Sequence, residues 1–321
     1  MNILIAGAGA EGGYLAAHLA RLGETVVVLE SWSPHREAIA ARGLRVEEPG
    51  DAFTIDLPVV ARPEELQTLP GLIILCTKLP DAAAMVASLE ACFHAPYLVT
   101  LNALADLTLA GQLGADRVTS CIATGLFATL AAPGVIRRHR SRFDGGAASF
   151  LLGETQEPRT LRLAQQAALL GRIDTTAMVD DMPAARWTKM VFNAMTSGLV
   201  ALHGGRLRPV FGDAALRARA LELALETVAV SRAEGVRIGP VCGMAGALWQ
   251  AGDRTTLEAG ITAYAAKLDP LVTSGMAQDL SHGRRTEIRE INGEIIRRAT
   301  HWGIPTPGNA ALLAAVEAAG G

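Results

Sequence analysis

The sequence predicts an α/β protein: an N-terminal doubly wound, largely parallel sheet over residues 1–180, followed by an all-helical domain over residues 181–321. Three observations carry this expectation. The chain opens with an apolar strand that runs straight into Gly7-Ala8-Gly9-Ala10-Glu11-Gly12. Strand and helix patterns then alternate for most of the first half. Beyond the break at Asp180-Asp181-Met182-Pro183 the apolar period turns helical and stays helical to the end.

Taken in order, Ile3-Leu4-Ile5 is the first strand. An amphipathic helix follows it, with Leu15, Leu19 and Leu22 inward and His18 and Arg21 outward. Thr25-Val26-Val27-Val28-Leu29 forms the second strand and ends in an acid, Glu30. A helix over 34–42 stops at Gly43, and short β-like pieces at 44–47 and 53–60 come next. Leu72–Cys76 is wholly apolar, as a strand buried on both faces requires. A helix over 80–91, a strand over 97–101, another helix and a strand over 118–122 continue the alternation. Residues 134–153, interrupted by Gly145-Gly146, read as closing antiparallel strands. A helix over 156–170 and a short strand near 172–176 complete the first domain. The second domain is expected to hold helices at 183–203, 212–235, 241–250, 254–279, 284–302 and 308–319. A cleft between the domains, at the carboxyl ends of the strands, is the expected ligand site.

The chain holds 33 glycines, so a glycine triplet alone says little. Its context is what gives Gly7, Gly9, Ala10, Glu11 and Gly12 meaning: strand before, helix after, second strand ending in an acid. In a Rossmann-type unit Gly7 makes the tight turn, Gly9 lets a pyrophosphate approach the backbone, and Gly12 allows close helix–strand packing. The helix N-terminus adds unpaired N–H groups and positive dipole for the phosphates. The alternative is a glycine-rich turn in an α/β unit that binds nothing.

Composition narrows the function class. Half the residues are hydrophobic and the net charge is −3, which points away from a nucleic-acid partner. Cys76, Cys92, Cys121 and Cys242 are scattered without a C-x-x-C pair, so neither metal binding nor disulfides are expected. No signal peptide and no apolar run of membrane-spanning length is evident, so a soluble, cytoplasmic protein without membrane association is expected.

Two polar constellations stand out in the helical half. Lys189, Asn193 and Ser197 are spaced i, i+4, i+8 and share one stripe of a helix whose neighbours Val191, Phe192 and Met195 are apolar. Such a stripe either lines a site or is a lysine snorkelling from a half-exposed helix. Near the C-terminus, Ile288, Ile291 and Ile295 mark the apolar face of a helix expected to start near Arg284, which places Glu287 in its first turn. An acid there either serves a site or merely complements the helix dipole.

Together these pieces resemble the ketopantoate reductase (2-dehydropantoate 2-reductase) family. The resemblance runs through the glycine motif, Lys78, Asn102, Trp187-x-Lys189-x-x-x-Asn193, Gln278-Asp279, Gly283-Arg284-x-Thr286-Glu287-Ile288-x-x-Ile291-Asn292-Gly293 and Thr306-Pro307-x-Asn309. It implies NAD(P)H-dependent reduction of a small 2-oxo acid to a 2-hydroxy acid, as in pantothenate biosynthesis. It further implies that Lys189 polarises or protonates the ketone oxygen, that Glu287 organises the site with it, and that Asn102 sits by the nicotinamide and the lysine. Asn193 would contact substrate, and Lys78 would lie near the cofactor.

The departures from the family pattern are informative. The family's substrate-binding serine is replaced by Gly275, with Ser274 one residue earlier as the nearest hydroxyl. The usual Asn-Pro is Ser197-Gly198, an expected asparagine is Val272, and the Asn-Gly-x-Gly turn is Asn102-Ala103-Leu104-Ala105. Fewer polar groups on the acid-binding wall imply an oxo acid other than ketopantoate. Where the family carries an arginine for the 2′-phosphate, this chain reads Glu30-Ser31-Trp32. An acid at the strand end suits the ribose hydroxyls and repels a phosphate, so NADH is expected over NADPH, with His35 and Arg36 as the residues that would reach a phosphate. An opine- or 3-hydroxy-acid-type dehydrogenase and a cofactor-binding sensor without turnover stay open as alternatives. A homodimer through 212–235 and 254–279 is the expected assembly.

Overall fold

The computed structural model describes residues 1–144, 146, 148–156, 159–268, 270 and 272–320. Gly145 of the expected Gly-Gly break, Glu157 and Pro158 of the expected helix 156–170, and Asp269 and Leu271 of the expected helix 254–279 lie outside them, as does the terminal Gly321.

The chain separates into two units, Met1–Leu101 with Ala105–Met182, and Asn102–Leu104 with Pro183–Gly321. The first contains an eight-stranded sheet in the order β12-β11-β8-β7-β6-β1-β2-β5. Its strands are β1 (Asn2–Ala6), β2 (Thr25–Leu29), β5 (Val59–Val60), β6 (Leu72–Leu75), β7 (Tyr97–Val99), β8 (Val118–Ala123), β11 (Phe150–Glu154) and β12 (Thr176–Met178). All neighbours run parallel except β8 and β11. β1 and β6 are the all-apolar central strands, buried on both faces from Ile3 to Ala6 and from Leu72 to Leu75. Helices α1 (Ala10–Arg21), α2 (Ser33–Arg42), α3 (Ala82–Glu90), α4 (Ala105–Leu113) and α5 (Leu161–Gly171) accompany it, with α4 following directly on the Asn102–Leu104 loop. α5 starts later than its apolar pattern implies because the Thr160 hydroxyl caps it, accepting from the Leu163 N–H at 3.0 Å.

The expectation for 134–153 is only half right. β11 does close the main sheet antiparallel to β8, but β10 (Val135–Arg138) belongs to a second sheet that the pattern did not reveal. That sheet has the order β4-β3-β10-β9, built from β3 (Leu44–Glu48), β4 (Asp51–Ile55) and β9 (Ala128–Ala132) besides β10. It packs on α1 and buries the face that the sequence assigned to solvent. His18 is consequently 2 % exposed, its ring between Tyr14 and Phe53 at centroid distances of 4.3 and 5.1 Å. Burial, with Arg142, Arg21 and Arg138 nearby, pushes its imidazole down to about 3. Arg138, on β10 itself, is buried as well. It donates to the Tyr14 hydroxyl at 2.7 Å and to Asp174, which also accepts from Ser149.

The second unit is helical: α6 (Met182–Leu202), α7 (Leu207–Gly212), α8 (Ala214–Ala233), α9 (Gly246–Ala251), α10 (Arg254–Lys267), α11 (Gly275–Ser281), α12 (Glu294–Trp302) and α13 (Pro307–Gly320). The stretch expected as one helix over 254–279 is two, since Leu268 leaves helical geometry with ψ 139 and α11 begins afresh at its Ser274 cap. The helix expected from Arg284 begins only at Ile288, and its opening is a π-helical turn, Arg289–Gly293, leading into α12. Among the described residues no helix is long and apolar enough to cross a membrane.

Candidate active site

The glycine groove is built where β1 ends. β1 and β2 pair in register from Asn2 with Thr25 to Ala6 with Leu29, so Gly7 and Glu30 emerge side by side. Gly7 has φ +93, and a Cβ there would stand 2.8 Å from the Thr77 Cα. A Cβ on Gly12 would come within 1.9 Å of the Gly7 carbonyl oxygen, so only glycine lets α1 pack this close to the loop. Gly9 differs: a Cβ there meets nothing within 4 Å. The backbone thus faces open space at the one glycine assigned to a pyrophosphate. Gly9 is also the N-cap of α1 and supplies no side-chain cap, so Ala10, Glu11 and Gly12 begin a helix whose N–H groups have no side-chain acceptor from the cap residue. This cradle fits a dinucleotide's phosphates.

Glu30 braces the same groove. Its carboxylate accepts from the Ala8 N–H at 2.9 Å with one oxygen and from the Trp32 N–H at 2.8 Å with the other. The acid expected at the ribose therefore also fixes the glycine loop. His35 is not placed to reach a phosphate. It is fully buried, accepts at Nδ1 from the Gly134 N–H (2.9 Å) and donates from Nε2 to the Ala8 carbonyl (2.8 Å). A hidden ring that pins the glycine loop to the second sheet is the physical reason. Arg36 stays near the strand end, where Nη1 donates to the carbonyls of Glu30 and Ser31 at 3.2 and 3.0 Å. Lys78 follows β6, is exposed, and precedes a short 3-10 turn at Leu79–Asp81.

In the helical unit, Lys189, Asn193 and Ser197 are all half-buried along one stripe of α6, while Met190, Val191, Ala194 and Met195 are at most 1 % exposed. Glu287 does not lie in the first turn of a helix. It immediately precedes the helix, because the chain ahead of it is held by the turn that closes α11. Buried Asp279 makes that turn: its carboxylate accepts from Arg284 Nε at 2.9 Å and its carbonyl from the Arg284 N–H at 2.8 Å, and Gly283 supplies φ +63. What Glu287 does meet is Asn102, whose Nδ2 donates to its carboxylate at 3.1 Å across 185 residues of sequence.

The residue after Asn102 has an unusual backbone. Ala103 is buried with φ +56, in the left-handed region where glycine is at ease and alanine is strained. The replacement of the family's glycine by Ala103 was visible in the sequence; its conformational consequence was not.

The π-turn after Glu287 is tied to α6. Buried Asn292 donates from Nδ2 to the Ala194 carbonyl (3.2 Å) and to Asn309 Oδ1 (2.8 Å). Asn309 in turn donates to Glu226 at 2.6 Å, and Glu226 accepts the Gly308 and Asn309 N–H groups at the start of α13. The Asn292 and Asn309 blocks of the family pattern are therefore framework for the site. Glu226 on α8 carried no local signal, since its partners lie more than 80 residues away. Ser274 is drawn off the same way. Its hydroxyl accepts from the Ala277 N–H (3.1 Å) and donates to the Ser197 carbonyl (3.2 Å), so its proton is committed to holding α11 against α6.

Comparison with known proteins identifies what the chain is similar to. Residues 3–147 match the family described as Ketopantoate reductase PanE/ApbA, and residues 181–320 match Ketopantoate reductase PanE/ApbA C terminal. The 2-dehydropantoate 2-reductase of Mesorhizobium japonicum is 30% identical, with 99% of this chain and 97% of that protein aligned. The chain belongs to the ketopantoate reductase family. A PanE/ApbA family ketopantoate reductase from Ralstonia eutropha JMP134 superimposes with a TM-score of 0.82 at 27% identity, covering 100% of this chain and 98% of that one. D-mandelate dehydrogenase, solved with NADH and anilino(oxo)acetate, shares the fold at a TM-score of 0.83 and 21% identity, over 100% and 98% of the two chains.

Proposed function

We propose that this member of the ketopantoate reductase family is an NAD(P)H-dependent oxidoreductase that reduces a 2-oxo acid to the 2-hydroxy acid. The observation that carries the reading is the Asn102–Glu287 hydrogen bond, which brings two residues of the family's catalytic pattern together from opposite ends of the sequence. The dinucleotide supplies the hydride. The first unit, residues 1–180 by sequence, holds it: Gly7, Gly9, Ala10, Glu11 and Gly12 take the pyrophosphate, Glu30 the adenosine ribose, and Lys78 the cofactor's outer edge. The second, residues 181–321, carries the acid–base groups.

As hydride reaches the carbonyl carbon, negative charge builds on oxygen. The Lys189 ammonium stabilises that charge and transfers a proton to the oxygen, leaving a hydroxy acid and a neutral amine that solvent reprotonates. Glu287 favours the charged lysine, and Asn102 fixes the Glu287 carboxylate. Asn193 and Ser197, on the Lys189 stripe, bind substrate; Ser274 supports that wall through the Ser197 carbonyl. Lys189→Ala tests the assignment. Turnover with a 2-oxo acid falls about 10²–10⁴-fold while dinucleotide affinity is kept; unchanged turnover removes Lys189 from the mechanism.

The substrate we propose is less polar than ketopantoate, because Gly275 and Val272 replace polar residues of the family pattern. Initial rates over a panel of 2-oxo acids test this, and a clear preference for ketopantoate refutes it. NADH is the proposed cofactor, on the strength of the Glu30 carboxylate beside the glycine loop. Selective, tighter binding of NADPH refutes that. The proposed setting is the cytoplasm, and the proposed assembly a homodimer through α8 and α10, for which a monomer mass in sedimentation equilibrium is the refuting result.

A further inference from the structure

We propose that Trp32 is the stacking platform for the adenine base, and so the residue that selects the adenosine half of the cofactor. The inference rests on the dinucleotide reading of the glycine groove and adds a recognition element of this chain. Trp32 lies two residues beyond Glu30 at the carboxyl end of β2, on the N-cap of α2. Its side chain is among the largest hydrophobic groups left exposed, at 49%. Exposed single aromatics are common, but this one stands on a rigid base. Its N–H is held at 2.8 Å by the Glu30 carboxylate, whose other oxygen holds the Ala8 N–H. Its ring stacks on His35, with centroids 6.1 Å apart and planes 26° apart. His35 is itself fixed on both ring nitrogens, to Ala8 and Gly134.

One carboxylate and one imidazole therefore lock the tryptophan to the same loop that faces open space at Gly9. A nucleotide whose pyrophosphate lies at Gly9 and whose ribose meets Glu30 directs its base outward past the end of β2. The first wide apolar surface beyond Glu30 on that strand end is the indole. A flat heteroaromatic base gains from stacking there, and the preorganised ring has little conformational freedom to lose.

The test compares Trp32→Ala and Trp32→Phe with wild type. Calorimetric dissociation constants are measured for whichever reduced dinucleotide the wild type binds more tightly, and for reduced nicotinamide mononucleotide, which lacks the adenosine half. Trp32→Ala is expected to weaken dinucleotide binding about tenfold or more and to leave mononucleotide binding unchanged. Trp32→Phe is expected to recover most of the loss. Equal dinucleotide affinity in Trp32→Ala and wild type overturns the proposal, as does an equal loss for the mononucleotide, which marks general damage to the groove. A wild type that binds neither dinucleotide is a different result: it refutes the dinucleotide reading itself.

Discussion

The glycine groove yields a prediction in which two neighbouring substitutions must behave in opposite ways. A methyl group on Gly12 would sit 1.9 Å from the Gly7 carbonyl oxygen and 2.8 Å from the Cys76 Cβ, against ordinary contacts of 3.4 Å or more. The first obstacle is backbone, so no rotamer change relieves it, and α1 must move off the sheet. Overpacking of this kind costs about 3 kcal/mol or more. Gly9→Ala meets nothing within 4 Å, and its φ of −57 lies outside the left-handed region reserved to glycine. Losing a tolerated N-cap glycine costs about 0.5–1 kcal/mol, and the stiffer unfolded chain returns about 0.4–1 kcal/mol, so stability should be nearly unchanged. The added methyl does, however, occupy the space assigned to the pyrophosphate. A loss of about 1.4 kcal/mol or more in binding corresponds to a tenfold or larger rise in Kd. Urea unfolding gives the first quantity and calorimetric titration with NADH and NADPH the second. Gly12→Ala should be clearly destabilised and Gly9→Ala should fold normally but bind dinucleotide weakly. A folded Gly9→Ala that binds with wild-type affinity would refute the reasoning, because it would leave Gly9 facing nothing that matters.

Other perturbations follow from the same geometry. Ala103→Gly removes a left-handed alanine, and should raise unfolding stability by about 0.5–1 kcal/mol; a drop in the urea midpoint would show that the Ala103 methyl is needed for packing. Asn292→Ala strands the Asn309 Oδ1 and frees the Ala194 carbonyl, and should cost about 2–3 kcal/mol, read as a fall in thermal midpoint. Acid should destabilise the first unit through His18. Its folded value of about 3 lies below the model-peptide 6.5, so the unfolded chain binds the extra proton between those limits. The stabilisation is complete above pH 6.5 and is lost as pH falls toward 3, on the order of 5 kcal/mol in all. His18→Gln should flatten stability against pH in that window, and an unchanged slope would place the acid sensitivity elsewhere.

The parts of the fold that were legible in the sequence are those with a local period. β1, β2 and β6 are apolar runs, and α6 carries its Lys189 stripe at helical spacing, so each announces itself within about ten residues. The second sheet did not, because its two hairpins, β3–β4 and β9–β10, lie far apart in sequence and their pairing leaves no local period. Missing it turned His18 outward when that sheet in fact covers it. The start of the helix after Glu287 was misplaced for a related reason. Ile288, Ile291 and Ile295 show a helical face, but the brace from Asp279 to Arg284 that delays the helix depends on a side chain eight residues before Glu287. For the candidate site, the resemblance to the family is what picked Asn102 and Glu287, while their meeting, the strain at Ala103 and the Glu226 support are products of tertiary contact.

The wide turn at Arg289–Gly293 has a consequence for how this chain can vary. A π-turn holds one more residue than an α-turn, so side chains before and after it are out of phase by roughly 100° compared with an unbroken helix. Ile288, into which the chain leads from Glu287, thus follows one rotational register while Ile295 and Ala299, buried in the bundle, obey another. Mutation or insertion ahead of the turn can re-aim the carboxylate without dislodging the packed helix behind it, whereas deleting a single residue from the turn would swing the two faces together and force one of them to give way.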